Sequence, residues 1–430
     1  MRFSDLAGRR VVVWGHGREG RSVAEHLRSL GIPFEVVVPD EVGGEDSSVT
    51  YGSDAVAALM TADVAIKSPG IPVVSDLYRL LRDRGTAITS LTDLWMSSNA
   101  ARTVAVTGSK GKSTTAALLD HVLAATGRHS SLRGNIGVSV LEETDPPADV
   151  VVMELSSYQA QSLTVSPRIL VVTSLFPEHL TWHGSEEAYY RDKLNAAAHG
   201  PDVVIAPYDD ERVLTWLHEV APEVDVLTTG SATVRVDDAG GLVWVDGTRL
   251  SVDELPLVGR HQAGNAALAA VAAGRLGVPP VEAAAAIRTF LALPHRMERI
   301  PSGDGRTWID DSLATAPEAV VASLGSLPIG DVAVLVGGAD RGLDFGPLTA
   351  HLAVNPHVNA LLLGPCGRRI HAETGLGTTF DSFAEATAWA GSPANPARTV
   401  LLSPGAPSFD EFTDYEERSR AFRAAAAAAR

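Results

Sequence analysis

The nine residues Thr107-Gly108-Ser109-Lys110-Gly111-Lys112-Ser113-Thr114-Thr115 follow a β-branched stretch, Thr103 to Val106, and open a helix-compatible one, Ala116 to Ala124. A strand, a glycine-punctuated turn and a helix in that order demand an α/β layer with a phosphate cradle at the helix N-terminus. Glycines let backbone amides turn inward onto phosphate oxygens, Lys112 carries a point charge to the β- and γ-phosphates, and Ser113 offers a hydroxyl to Mg²⁺. Gly108, Ser109, Lys110, Gly111, Lys112, Ser113 and Thr114 are therefore the candidate ATP contacts. The loop is shorter than the common one, whose first glycine would fall at Val106, and reads Gly-x-x-Gly-Lys-Ser from Gly108.

A chain of 430 residues has room for about three domains at roughly 150 residues each. With 52 acidic against 35 basic residues the formal net charge is −17, so the surface as a whole repels polyanions and nucleic acid is not expected as a partner. No uncharged apolar run reaches the ~18 residues of a membrane span, and the polar start from Met1 to Arg10 does not read as a secretory signal. One cysteine, Cys366, rules out an internal disulfide and fits a reducing cytoplasm; it reads as a small residue in a Gly-Pro-Cys-Gly turn. A cytoplasmic monomer is expected.

Strand-like and helix-like runs alternate through the first segment: Arg10 to Trp14, Ser22 to Leu30, Phe34 to Val38 and Val64 to Lys67, ending near Ser97-Ser98-Asn99. A second α/β segment has strand candidates at Thr103 to Val106, Asp149 to Glu154, Ile169 to Ser174 and Val203 to Ala206. Gly230 to Val252 reads as a hairpin excursion turning at Asp237-Asp238-Ala239-Gly240-Gly241, and helices follow at Ala263 to Leu276 and Val281 to Phe290. After Leu293-Pro294 come strands at Asp331 to Val336, Ala360 to Leu363 and Thr399 to Leu402, and a helical tail from Ala421 to Ala429.

Gly15-His16-Gly17-Arg18-Glu19-Gly20 is a full G-x-G-x-x-G after the first strand, with Asp40 a further 20 residues on. Three readings stand: a dinucleotide turn, a turn for any diphosphate, or close strand-to-helix packing with no ligand. Lys67-Ser68-Pro69-Gly70-Ile71 is a second candidate anion loop. Glu154, opening Glu154-Leu155-Ser156-Ser157-Tyr158-Gln159 at a strand end, is either a Mg²⁺ ligand or a solvated carboxylate. His179 in Pro177-Glu178-His179-Leu180-Thr181-Trp182-His183-Gly184 is either a ligand or structural, and Tyr190-Arg191-Asp192-Lys193-Leu194 lies on a helix.

Taken together these motifs resemble the Mur ligase family of peptidoglycan precursor synthesis, and within it the glutamate-adding members, over nearly the whole chain. Further marks are Gly134-Asn135-Ile136-Gly137, Leu293-Pro294-His295-Arg296, Asp311-Ser312 and Ser403-Pro404. The resemblance implies a Rossmann-like UDP-binding domain over residues 1–98, a central P-loop ATPase domain over 99–292, and a C-terminal Rossmann-like domain over 293–430 that closes over the site with the incoming amino acid. It implies UDP-N-acetylmuramoyl-L-alanine, glutamate and ATP as substrates, an acyl phosphate intermediate and two Mg²⁺ sites. Gly15, Gly17, Ser68, Pro69 and Gly70 would hold the uridine diphosphate, with Asn135, Ser156 and Gln159 at the muramoyl-alanine end. Lys112, Glu154, His179 and Lys193 would be the catalytic set; Ser113, Glu154, His179 and Lys193, the last as a carbamate made from CO₂, would serve the metals. Asn265 and Arg296 match adenine and phosphate contacts, Asp311 a carboxylate reaching the ATP ribose, and Thr315, Arg341, Ser408 and Tyr415 fall at glutamate positions.

The departures cluster at that glutamate subsite. Where D-glutamate members read Asp-Ser-Lys-Ala-Thr-Asn, this chain has Asp311-Ser312-Leu313-Ala314-Thr315-Ala316; Arg341 stands for a lysine, and Pro407 for a small residue. A guanidinium fork grips a carboxylate differently from an ammonium. This pattern resembles the variant that adds L-glutamate, which is favoured here over D-glutamate. A dehydrogenase resting on Gly15 to Gly20 and Asp40 would leave the phosphate loop, Glu154 and Lys193 unexplained, and intact Lys112, Glu154, His179 and Lys193 argue against a non-catalytic nucleotide sensor.

Overall fold

The computed structural model describes residues 1–39, 46–136, 138–142, 146–230, 233–257, 260–327 and 330–430. Asp40 and Gly137 lie outside them. The chain is an α/β protein of two compact units, Met1–Glu254 with Ala263–Phe290, and Leu255–Gln262 with Leu291–Arg430. Among the described residues no helix is long and apolar enough to cross a membrane.

The first unit holds two parallel sheets. One runs in the order Val49–Tyr51, Phe34–Val38, Val11–Trp14, Val64–Lys67, Ala87–Thr89. Its two central strands, Val11–Trp14 and Val64–Lys67, are buried at every residue, which is why they read as continuous runs rather than alternating ones. The other runs Val226–Thr228, Val203–Ala206, Ile169–Val172, Thr103–Thr107, Val150–Glu154, Ser130–Gly134. The helix Leu91–Asn99 begins at the end of the first sheet, and its Leu91, Leu94, Trp95 and Met96 join one apolar core with residues of both sheets. Asp93 on that helix is buried, accepting from Thr89 Oγ1 at 2.9 Å and from the Thr164 amide at 2.7 Å, a polar tie between the two sheets' connections. The expected hairpin excursion is a three-stranded antiparallel meander, Val234–Val236, Leu242–Trp244 and Arg249–Leu250.

The second unit has one sheet in the order Glu298–Ile300, Thr307–Asp310, Thr399–Leu402, Val332–Gly337, Val358–Leu363, Thr378–Thr379, with the first strand antiparallel and the others parallel. Apolar clusters cover both faces. Cys366 lies on the helix Gly364–Thr374, buried in one of them, and burial pushes its thiol up to about 12, so it is inert packing.

Several strands have no counterpart in the sequence reading: Val49–Tyr51, Ala87–Thr89, Ser130–Gly134, Val226–Thr228, Glu298–Ile300, Thr307–Asp310 and Thr378–Thr379. All but Thr307–Asp310 are sheet edges. An edge strand is short and paired on one side, so it needs neither the length nor the continuous apolarity that marks a central one.

Candidate active site

Parallel pairing puts three chain segments at one sheet edge. Val106 pairs with Glu154 and Thr107 with Val172, so the turn after Thr107, the carboxylate of Glu154 and the connection leading to His179 all leave the C-terminal side of adjacent strands. There the phosphate loop wraps onto the helix Lys112–Ala125. Gly108 and Gly111 have φ of 136° and 89°, conformations that side chains resist. A Cβ on Gly108 would lie 2.1 Å from Thr173 Oγ1, and one on Gly111 2.3 Å from Asn265 Oδ1. Asn265 thus packs against the phosphate loop itself. Gly111→Ala adds backbone strain to that clash and is expected to cost about 2 kcal/mol of stability, read by denaturant unfolding, together with nucleotide affinity.

Ser109 has partners within the protein that its place in the motif does not announce. Its side chain is buried, donates to the Phe176 carbonyl at 2.7 Å and lies 2.9 Å from the Tyr189 hydroxyl, while its amide donates to the Ser174 carbonyl. With both groups engaged it braces the loop against the connection that follows Val172. Lys110 is exposed and pairs with Glu178 at 2.7 Å; its amide is taken by Ser174 Oγ. Lys112, Ser113 and Thr114 form the first turn of the helix, the end of a helix that favours an anion.

Two lysines converge on one carbonyl. Lys112 Nζ donates to the Gly108 oxygen at 2.8 Å and to that of Ser109 at 2.9 Å, and Lys193 Nζ donates to the same Gly108 oxygen at 2.8 Å. Lys193 is 2% exposed and 4.9 Å from the Tyr189 ring centroid; burial first, then the charge of Lys112, hold its pKa well below the ordinary lysine value. Glu154 is buried as well. Asn135 Nδ2 donates to its Oε1 at 2.9 Å, whereas Oε2 is buried with no hydrogen-bond partner. A buried carboxylate oxygen left so is costly unless a cation takes it, so Glu154 fits a divalent metal. His179 sits at φ 56°, its ring 5.0 Å from that of Tyr158; partial burial and the nearby Lys193, His183 and Lys112 hold its pKa below the usual histidine value. At neutral pH it is the uncharged imidazole a metal would need.

Behind this set lies a relay absent from the sequence reading. His183 is buried, with Nδ1 2.6 Å from Asp192 Oδ2 and Nε2 3.0 Å from Ser157 Oγ, and the Tyr158 ring stacks on it at 5.6 Å. It joins the turn after Glu154 to the helix Glu186–Leu194 that carries Lys193. Nothing in the spacing of single residues signals such a link.

A cleft of about 370 Å³ opens between the turns of the first sheet and the edge of the second, lined among others by Gly17, Ser68, Pro69, Gly70, Asn135 and Gln159. These are most of the positions expected for a UDP-linked substrate. Gly15 and Ser156 stand behind it: a Cβ on Gly15 would strike Ser68 Oγ at 2.6 Å, and Ser156 caps the short helix Ser157–Ala160 while bonding Gln159. Gln159 Nε2 donates to Glu19 Oε1 at 2.8 Å, and Glu19 also lines the cleft.

In the second unit, Asp311 is buried and its Oδ2 accepts from Ser323 at 2.6 Å and Ser403 at 2.9 Å, with Oδ1 accepting from the Met297 amide; burial raises its pKa to about 6. These bonds fix the carboxylate against neighbouring segments of its own unit. Thr315 and Arg341 are exposed, Arg341 lying 5.8 Å from the Phe409 ring, while Ser408 is buried and Tyr415 and Arg296 half-buried. The buried Arg418 donates to the carbonyls of Ala406 and Ser312, holding two of these loops together.

The Mur ligase middle domain matches residues 106–273. A protein of Micromonospora sp. named UDP-N-acetylmuramoyl-L-alanine–L-glutamate ligase is 40% identical over 98% of this chain and 97% of its own length. One of the same name from Salinispora tropica is 41% identical over 98% of each chain. Among solved structures, MurF from Acinetobacter baumannii aligns with a TM-score of 0.63 at 18% identity, over 96% of this chain and 90% of that one. The phosphate loop, the strand-end carboxylate and the buried lysine occupy one edge of the matched region, the relatives span the whole chain, and on that footing this chain belongs to the Mur ligase family.

Proposed function

We propose that this chain is an ATP-dependent ligase that joins L-glutamate to UDP-N-acetylmuramoyl-L-alanine. The observation that carries the reading is the convergence of Lys112 and Lys193 on the Gly108 carbonyl, beside a buried Glu154 with a partnerless oxygen. Two cations on one carbonyl repel each other unless the second is neutralised or converted, and a carbamate on Lys193 turns it into an anion that can share a metal with Glu154, His179 and Ser113. The names of relatives 40% and 41% identical over nearly the whole length support L-glutamate.

A carboxylate is a poor electrophile. In the proposed reaction ATP lies along the loop from Gly108 to Thr114, with the amides of Lys112 to Thr114 on its phosphates, and Lys112 follows the γ-phosphoryl group as it passes to the acceptor's carboxylate. Mg²⁺, when bound at these residues, supplies further charge neutralisation on the transferring group. Asn135 and Gln159 orient the acceptor end, and Arg341, Ser408, Thr315 and Tyr415 are proposed to hold glutamate, whose amine attacks the acyl phosphate and expels phosphate. Asn265 and Arg296 are assigned to the nucleotide. The domains are proposed at residues 1–98, 99–292 and 293–430, and the setting as cytoplasmic.

Incubation with ATP, Mg²⁺, the UDP-linked acceptor and each glutamate enantiomer separately tests this. Swapping enantiomers at constant amine position moves at least one carboxylate to new partners, so kcat/KM for L-glutamate is expected to exceed that for D-glutamate by at least about tenfold, ~1.4 kcal/mol. A clear preference for D-glutamate would reassign the subsite, and phosphate release independent of the acceptor would sink the ligase reading.

A further inference from the structure

The short helix Leu180–His183 is tied by its side chains to other segments of its unit. Trp182 Nε1 donates to the Gly70 carbonyl at 3.3 Å, in the turn after the strand Val64–Lys67, and the buried ammonium of Lys67, which has no hydrogen-bond partner, lies 5.2 Å from the Trp182 ring centroid. His183 bonds Asp192 on one side and Ser157 on the other. At the head of the helix is His179, whose left-handed φ of 56° is a strain that a non-glycine residue keeps where its surroundings fix it. The amides of Trp182 and His183 both donate to its carbonyl, at 3.0 and 3.2 Å.

The His183 ring is buried among aromatic groups, stacked on Tyr158 and meeting Trp182 and Tyr189 edge-on at 4.5 and 5.1 Å. A phenylalanine would fill that space, so packing does not call for the two ring nitrogens, and burying them is a cost that well-made bonds must offset. Both nitrogens are bonded. A carboxylate only accepts, so Nδ1 donates to Asp192, and in the neutral ring Nε2 is left to accept from the Ser157 hydroxyl. The bonds end beside the candidate site: Asp192 precedes Lys193 on the helix Glu186–Leu194, and Ser157 follows Ser156 in the turn that Glu154 opens. Other ties hold the fold here. Asn195 Nδ2 donates to the carbonyls of Ala160 and Leu163 at 2.9 Å, pinning the end of the lysine helix to the segment after Ser157. What His183 adds is the orientation of the last turn of that helix, and with it the reach of Lys193 to the Gly108 carbonyl.

We propose that His183 and Asp192 are positioning residues of the ligase reaction, a spacer that holds Lys193 and the Glu154 turn in register so that the phosphate loop and the acceptor end meet in one geometry. They act through Lys193 and that turn and not on the substrates themselves. The assignment rests on the ligase reading above and adds to it two groups that the sequence reading left without a role.

Steady-state kinetics of the full chain, followed by acceptor-dependent phosphate release, test it. Wild type comes first: no acceptor-dependent release overturns the ligase reading, and this assignment with it. His183→Phe, which keeps a ring and loses both bonds, is expected to lower kcat at least about tenfold, while KM for ATP stays within about twofold and thermal unfolding stays cooperative. Asp192→Ala should lose a similar factor, and Asp192→Asn, which can still accept from Nδ1, should retain at least about threefold more activity than Asp192→Ala. Because both changes break the same bond, the double variant His183→Phe with Asp192→Ala should fall no more than about twofold below the worse single one. If His183→Phe does not fold, Asp192→Ala and Asp192→Asn carry the comparison. With wild type active, a folded His183→Phe or Asp192→Ala that loses less than about tenfold in kcat overturns this assignment alone. So do losses that multiply in the double variant, an Asp192→Asn no better than Asp192→Ala, or a loss that falls on KM for ATP, the mark of a general loosening of the fold.

Discussion

Lys112→Ala is expected to lose at least about 100-fold in acceptor-dependent phosphate release, because removing a charge aimed at the transferring phosphoryl costs on the order of 3 kcal/mol or more in the barrier. The geometry supports a loss in catalysis and not in folding. Lys112 is half-buried at the first position of its helix, and its Nζ contacts are loop carbonyls, Gly108 and Ser109, within three or four residues. Lys112 is not part of the apolar core of its unit, so stability should change by less than about 1 kcal/mol. A folded variant keeping more than about a tenth of wild-type turnover would exclude Lys112 from phosphoryl transfer.

Lys193→Ala should lose a comparable factor, at least about 100-fold, but for a different reason, and here the loss should be partly reversible. Carbamylation begins with a neutral amine, and burial together with Lys112 favours the neutral form of Lys193. If the carbamate is what works, alanine leaves a cavity in which a short carboxylate can stand in, and added formate or acetate should restore activity at least about tenfold. Wild-type protein equilibrated with ¹³C-bicarbonate should show a carbamate resonance that the variant lacks. A folded variant that is not rescued, with a wild type showing no such resonance, would leave Lys193 as a plain ammonium on the Gly108 carbonyl.

Central elements were legible in the chain because they satisfy local and global demands together. Phe34–Val38, Val64–Lys67, Val203–Ala206 and Thr399–Leu402 have the bounds that their apolar runs predict. The phosphate loop was legible for a related reason: Gly108 and Gly111 stand where no side chain fits, so composition and geometry coincide. The bracing of Ser109 was not legible, because the partners of its hydroxyl, Phe176 and Tyr189, lie 67 and 80 residues away. The partners of Asp311, Ser323 and Ser403, were equally out of reach of any local pattern.

By itself the sequence determined the α/β class, the phosphate loop and the list of groups able to do the chemistry, since each rests on residue type and spacing over a few neighbours. Only the tertiary structure decided which of those groups meet. That Lys193 reaches the carbonyl of Gly108, that Glu154 keeps one buried oxygen free, and that Lys67 stands unpartnered beside the glycine turn all depend on strand order and register. Parallel pairing brings together residues tens of positions apart, and burial then sets the charge state and hydrogen-bond needs of each, which no local pattern encodes.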